Sequence, residues 1–490
     1  MVSVHDPVRG AAFGELRRFR QEFYACLTAR ADAVFELADA VLCADGPVRS
    51  LAELSLVAEH RRGHGSAYAA VVDGRIDVER LRTALAGVSL PRAADGRLVL
   101  AVDITCWLRP EAQTSPERIL CHTRGRGKGQ AIMIPGWPYS MIAALEPGRS
   151  SWTAPLDFQR LAPGDDAASV TAAQLRHLLD RLMAAGQWRQ GDPDVLIVAD
   201  AGYDGPRLAW LLRDLPVQIL TRLRSDRVLR RAAPPRDPTF IGRPPRHGGE
   251  FIFADPATWG VPDVSTTTET RLYGTATAQA WDRLHPRLTR RAAWTGSGDL
   301  PIIAGTVIHL QVDRLPSGAT PKPVWLWWSG VHATDTTSPA DVDRLWQTFL
   351  RRFDIEHTFR MIKQTLGWTC PKIRSPAAAD RWTWLVLAAY IQLRLARPLA
   401  ADLRRPWEKP AAAHRLTPAR VRRDFRHLRT KTACPTAAPK PTRPGPGRPA
   451  GQPNQRPAQR HDVHIVTATT STRTSKKNTA TTKPRPRRRG

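Results

Sequence analysis

Cysteine is scarce in this chain and never grouped. Cys26, Cys43, Cys106, Cys121, Cys370 and Cys434 stand singly, without a CxxC pair or a Cys/His ladder of zinc spacing. This excludes a zinc-finger framework and a disulfide scaffold, and it fits a reducing cytoplasm. Long apolar runs are also missing. None approaches the ~18 residues that a membrane span needs, and the opening MVSVHDPVRG lacks the apolar core of a signal peptide. A soluble, intracellular protein with no membrane partner is expected. Acidic residues are in deficit, 45 against 73 Lys and Arg, for a formal net charge of +28 at pH 7. A surplus of that size calls for a polyanionic partner.

The surplus is unevenly placed. Residues 404–490 hold 23 Lys and Arg but only three Asp and Glu, so the first 403 residues carry a net charge of just +8. From about 432 onward Pro, Thr, Lys and Arg dominate and aromatic residues are absent. Such a stretch has little to bury, and 432–490 should be a disordered basic tail. Its Gly447-Arg448-Pro449 is a core of the type that lies in A·T minor grooves, but nonspecific phosphate attraction is the simpler reading.

Hydrophobic residues make up 42% of the chain, enough at this length for a large core and more than one domain. Residues 1–92 read as a helical module. The stretch 17–37 is periodic, Ser50-Leu51-Ala52-Glu53 has a capping-box pattern, and 77–85 is a short amphipathic helix. Arg17, Arg18, Arg20, Arg61 and Arg62 either grip DNA or are the solvated charges of a helical cap. The two readings stand level, since no helix-turn-helix signature is clean. Over 93–223, strand-like runs at 98–104, 130–134, 139–145, 151–161, 195–199 and 217–221 are joined by helices near 170–185 and 206–213. That is a mixed sheet covered by helices, an α/β body. Residues 224–335, rich in Pro, Gly, Arg and Thr, read as a β-rich insertion. In it Trp325 and Trp327 alternate onto one face and fill a core, while Trp328 points the other way. Residues 336–400 complete the body with helices near 340–366 and 377–395. Residues 401–431 carry a basic helix behind Thr417-Pro418.

Three carboxylates stand out against this layout. Asp103 ends the apolar run Leu98–Val102, and Asp200 ends the run Val195–Ala199. Both runs read as buried strands. Glu356 lies in a helical stretch with Arg352 four residues before it and Lys363 seven after, all on one face. A carboxylate at the end of a core strand is costly unless something pairs with it. Three that converge would hold divalent metal, and two Mg²⁺ ions can drive phosphodiester chemistry. Each has a plainer reading alone: turn former, helix cap, or one partner of a surface ion pair. Together they point to a DNA-cutting enzyme. Asp204 and Asp354 are neighbours assigned to a turn and to a different helix face. The basic glycine loop Thr123-Arg124-Gly125-Arg126-Gly127-Lys128-Gly129 lacks the Gly-Lys-Ser/Thr ending of a P-loop. Arg124, Arg126 and Lys128 are therefore assigned to DNA phosphates.

The ordered set Asp103, Asp200, Glu356, with gaps of 97 and 156 residues, resembles the DDE transposases of bacterial insertion sequences. The likeness is to the group with a Tyr-x2-Arg-x3-Glu-x6-Lys signature and a β-strand insertion before the Glu. Here that signature reads Phe349, Arg352, Glu356, Lys363, matching at three of four named positions. VADAGYDG (198–205) and VDITCWLRP (102–110) are similar to the segments around the first two acids. The resemblance covers roughly 97–395. It implies an RNase H-like fold, and two Mg²⁺ ions, with Mn²⁺ able to substitute, on Asp103, Asp200 and Glu356. It also implies phosphate contacts from Arg352 and Lys363. The activity it implies is that of a cytoplasmic, nucleoid-associated transposase. Such an enzyme cuts the terminal inverted repeats of its own element and joins them to target DNA, as a homodimer once DNA is bound. Phe349 lacks the hydroxyl of the family's Tyr, which puts any hydrogen bond from that position in question. Two rivals stay open: a related metal-dependent nuclease that never transposes, and a non-enzymatic DNA-binding remnant of a mobile element.

Overall fold

A computed structural model describes residues 7–124, 131–148, 150–235, 242–289, 293–295, 299–330, 336–441 and 457–464. The chain opens with helices α1 (Pro7–Ala25), α2 (Ala31–Cys43), α3 (Leu51–Leu54), α4 (His64–Val72) and α5 (Val78–Ala86), tied by a ribbon of β1 (Leu27–Ala29) and β2 (Arg75–Ile76). Ser50 Oγ accepts the Glu53 N–H at 3.1 Å, and Asp77 accepts the Arg80 N–H at 3.0 Å. α3 and α5 thus start where a polar side chain satisfies a free helical donor. Arg20 is neither a DNA grip nor a solvated charge. It is buried, pairs with Asp39 at 2.7 Å and reaches Gln392 far along the chain. Arg61 and Arg62 are likewise engaged, with Glu36 and Asp32.

The main sheet begins with β3 (Val99–Leu108), β4 (Ile119–Arg124), β5 (Ala131–Leu145) and β6 (Thr153–Arg160). After α6 (Ala167–Ala184) come β7 (Val195–Ala199), α7 (Gly205–Leu211) and β8 (Val217–Leu223). The spatial order β6-β5-β3-β7-β8 has antiparallel neighbours on one side of β3 and parallel neighbours on the other. This arrangement is consistent with the RNase H-like fold. β5 is long enough to serve two partners. Its second half pairs with β3 and β6, and its first half pairs with β4 as a hairpin that projects beyond Leu108. Gly136 marks the changeover, where a Cβ would sit 2.6 Å from the Trp107 carbonyl oxygen.

Residues 224–335 do not stand apart from this sheet. Beyond a small ribbon of β9 (Val228–Arg230) and β10 (Glu250–Ile252), strands β11 (Val264–Thr270), β12 (Gly274–Leu284), β13 (Gly305–Val312) and β14 (Val324–Trp328) form a meander. Its last strand pairs with β8. The meander thus lengthens the same sheet. Trp325 and Trp327 lie in the core on one face and Trp328 in the core on the other, as their alternation requires.

The single helix expected over 340–366 is broken. α8 (Pro339–Arg351), started by a Ser338/Asp341 capping box, gives way to a tight turn at Arg352-Phe353 before α9 (Asp354–Arg360) and a π-helical turn at Met361–Thr365. The Arg352 and Phe353 N–H groups reach back three residues, to the Phe349 and Leu350 carbonyls. No Pro or Gly announces this break. α10 (Pro376–Ala396) and α11 (Pro418–Arg429) follow. Pro418 takes the first position of α11, but the Thr417 side chain makes no cap bond.

β3 is covered on both faces. Leu98, Leu100 and Val102 pack against Leu175, Leu178, Leu179, Leu182 and Leu208 of α6 and α7. Val99 and Ala101 face α9, α10 and the N-terminal helices, which share one continuous core. Arg429 of α11 donates to Asp39 at 2.7 Å and so joins the Arg20 network. Two stretches of the expected basic tail lie on the body. Arg61 bonds to Thr436 and Ala437, and His464 bridges to Ile119 at the edge of β4. The expected disorder does not extend to these two stretches, and 442–456 and 465–490 lie outside the described residues. Among the described residues no helix is long and apolar enough to cross a membrane.

Candidate active site

The register of two parallel strands builds the first half of the site. Val102 of β3 is paired with Ala199 of β7, so Asp103 stands beside Asp200. Asp200 follows the end of β7, but Asp103 does not end its strand as the sequence suggests, because β3 runs on to Leu108 by pairing with β5. The chain after Asp200 turns at once: the Tyr203 N–H returns to the Asp200 carbonyl, and Asp204 accepts from the Arg207 N–H to cap α7. Asp204 thus serves the turn, as its sequence context suggests. Gly205 is needed because a Cβ there would fall 2.1 Å from Thr221 Oγ1. α9 lies across the same face of the sheet, held by buried Ile355 and by a 2.8 Å hydrogen bond between Thr358 and Thr153. It brings Glu356 over the two aspartates.

The three acids converge on one cation. Arg352 approaches Asp103 at 3.2 Å, Asp200 at 3.7 Å and Glu356 at 3.9 Å. Its side chain is only 3% exposed, while those of Asp103, Asp200 and Glu356 are 24%, 36% and 55% exposed. Asp200 Oδ1 is buried and has no hydrogen-bond partner. Among the described residues, no three acidic, His or Cys side chains stand close enough together to hold a metal ion; the three carboxylates here are arranged around Arg352.

Burial pushes the Asp103 carboxyl up to about 6, against the pull of Arg352 and a 2.8 Å hydrogen bond from the Ile104 N–H; Asp200 and Glu356 add to the rise. Lys363, in the π-helical turn, also points inward. Its ammonium lies 6.0 Å from the Phe359 ring centre and 5.6 Å from that of Trp368. Burial lowers its pKa, and the nearby Cys106, Asp103 and Cys121 oppose this. Cys106 is held below the ordinary thiol value by its hydrogen bond with Cys121, against burial and with help from Lys363. Asp354 pairs with Arg351, and burial takes it up to about 7, with Glu146 adding to the rise.

Asp103, Asp200 and Glu356, far apart in sequence, are therefore together. Arg352 and Lys363, expected on DNA phosphates, face the interior of the site. Arg124 ends β4, and Arg126 and Lys128 lie outside the described residues. Phe349 is 2% exposed and packs near Phe353, so this position is a core position. Phe353 itself escaped the sequence reading. It is 41% exposed, and the Arg352 guanidinium sits 4.9 Å from its ring centre. On an unbroken helix it looks like one more apolar residue. Only the turn at 352–353 turns it outward.

No curated protein matches the chain. Residues 22–287, more than half of the chain, match the DDE superfamily endonuclease family. The matched span contains Asp103 and Asp200 and ends before Glu356, which the fold brings back to them. On that match the chain belongs to the DDE superfamily endonucleases.

Proposed function

We propose that this chain is a transposase of the insertion-sequence type, cutting the ends of its element and joining them to target DNA with metal ions held by Asp103, Asp200 and Glu356. The observation that carries the reading is the convergence of these three acids on Arg352. The donor set suits the ion: three carboxylates offer the hard oxygen ligands that Mg²⁺ takes, or Mn²⁺ in its place, and Asp200 Oδ1 is buried without a partner. Bound there, two such ions would activate a water or 3′-hydroxyl nucleophile and stabilise the leaving oxygen. The protein's part is to hold its acids ready. Parallel pairing of β3 and β7 fixes Asp103 beside Asp200, and α9 supplies Glu356. Lys363 stands near Asp103 as a second basic group.

DNA is the substrate that the family and the net charge of +28 support. The β4–β5 hairpin projects past the end of β3, and its basic sequence through Arg124, Arg126 and Lys128 suits a phosphate backbone. Pairing two element ends would call for a homodimer on DNA. The family's description as endonucleases favours a second reading, cutting without joining. The test is a duplex ending in the inverted repeats that flank the gene, incubated with protein and Mg²⁺. Cut and joined products are expected from wild type, and neither from Glu356→Gln, with DNA binding kept. Cut product alone would leave the nuclease. No metal-dependent cutting by folded protein would sink both.

A further inference from the structure

Arg352 is placed where it cannot stay. Its guanidinium occupies the space among three carboxylates that the preceding reading gives to metal, and this inference rests on that reading. It also does not sit where a phosphate could meet it, being 3% exposed. We propose that Arg352 is an exchangeable counter-ion: in the free protein it neutralises the acidic centre, and when metal enters it is displaced outward onto a DNA phosphate, so that metal loading and DNA engagement are coupled.

Four observations carry this. Arg352 sits among three acids with Lys363 near Asp103, so acids still outnumber cations and the centre still attracts a divalent ion. The contacts are loose, at 3.2, 3.7 and 3.9 Å, and Arg352 Nε has no partner, so only the guanidinium tip is engaged. The residue stands at the turn between α8 and α9, where its backbone is outside regular helix. The way out is lined by aromatic rings: the guanidinium lies 5.7 Å from the centre of buried Phe349 and 4.9 Å from that of Phe353, whose exposed edge leads to solvent. A guanidinium moving across those rings keeps a cation–π contact throughout. A displaced arginine then needs an anion, and a DNA phosphate provides a bidentate one. Linkage makes the effect reciprocal: whatever draws Arg352 out favours metal, and metal favours DNA by the same factor.

The test uses full-length protein and Mn²⁺ as probe, titrated with detection of free Mn²⁺ by electron paramagnetic resonance. Without DNA, Arg352→Met should bind Mn²⁺ about tenfold more tightly than wild type, within the usual coupling range of roughly 5- to 150-fold. Saturating 30-base-pair duplex should tighten Mn²⁺ binding to wild type and leave Arg352→Met unaltered. A second readout needs no variant at that position. Mn²⁺ should steepen the log–log salt dependence of wild-type DNA binding by about 0.9, one extra phosphate contact. The same measurement on Asp200→Asn corrects for Mn²⁺ screening. Mn²⁺ affinity unchanged in Arg352→Met, or a salt slope that Mn²⁺ does not move, overturns the exchange while leaving the metal reading intact. Failure of either protein to bind Mn²⁺ at all overturns both.

Discussion

Replacing Asp103 by Asn should make the metal-free protein more stable at neutral pH, although it removes a charge that faces Arg352. Burial pushes the carboxyl up from 3.8 to about 6 even with Arg352 beside it, so the folded state prefers the neutral form that Asn imitates. A rise of about two pH units corresponds to about 3 kcal/mol. Exposure of 24% of the side chain trims the expectation to about 2 kcal/mol through solvent screening. The sign follows from the proton balance. Below pH 3.8 the carboxyl is neutral both folded and unfolded, and no penalty exists. Between 3.8 and about 6 the unfolded chain ionises first, so stability falls as pH rises through this window, and the full penalty stands above it. The assay is urea unfolding in chelator, followed by the fluorescence of the sixteen tryptophans. With m of about 3 kcal/mol/M or more for a chain of this size, the Asp103→Asn midpoint should rise by up to about 0.7 M at pH 7.5 and converge on wild type near pH 4. Asp354 titrates equally in both proteins and cancels. Adding Mg²⁺ at pH 7.5 should raise the wild-type midpoint more than that of the variant. A variant less stable than wild type at pH 7.5, or an equal gap at both pH values, would refute the reasoning.

Three further outcomes are expected. Cys106, held low by Cys121 and Lys363, should be alkylated by iodoacetamide faster than buried Cys26 or Cys43, and Lys363→Met should slow it; equal rates by mass spectrometry would contradict the inward placement of Lys363. Gly205→Ala should cost about 1–3 kcal/mol through overpacking against Thr221, with an unchanged unfolding midpoint as the adverse result. Deleting 465–490, which removes eight Lys and Arg and no acid, should weaken binding to random duplex at low salt and flatten its salt dependence; anisotropy titrations showing equal affinity at low salt would make that segment inert.

The two aspartates were legible because each closes an apolar run buried on both faces, and such a run has few other readings. That β3 continues past Asp103 to Leu108 was not legible, since the residues beyond it are held by pairing with β5. The adjacency of the two aspartates was also harder to read. It depends on β3 and β7 pairing in one register, a contact between segments almost a hundred residues apart. The joining of β14 to β8 was hidden for the same reason: strand partners are chosen by the whole sheet, and composition showed only that strands were present. Arg352 and Lys363 fit a straight stripe with Glu356, but the turn at 352–353 and the π-helical turn at 361–365 break that stripe. Both side chains then face inward. Nothing local marks either irregularity, since packing against the sheet imposes them. The placement of 432–441 escaped composition because polar bonds from Arg61 to Thr436 and Ala437 hold it, not apolar burial.

The network of Arg20, Asp39, Gln392 and Arg429 has a consequence for how the protein is made. Asp39 emerges from the ribosome early, and Arg429, its second cation, about 390 residues later. At roughly 5–20 residues per second, that interval is about 20–80 s. Until it ends, Gln392 and then Arg429 are missing, and the apolar faces of α1 and α2 lack the α10 and α11 surfaces they pack against. The N-terminal helices must therefore wait for the far end of the chain. A message truncated shortly before codon 376 would yield Asp103, Asp200 and Glu356 intact but leave α1 and α2 without the α10 and α11 surfaces they pack against, and such a product should be found with chaperones or proteases and not on DNA.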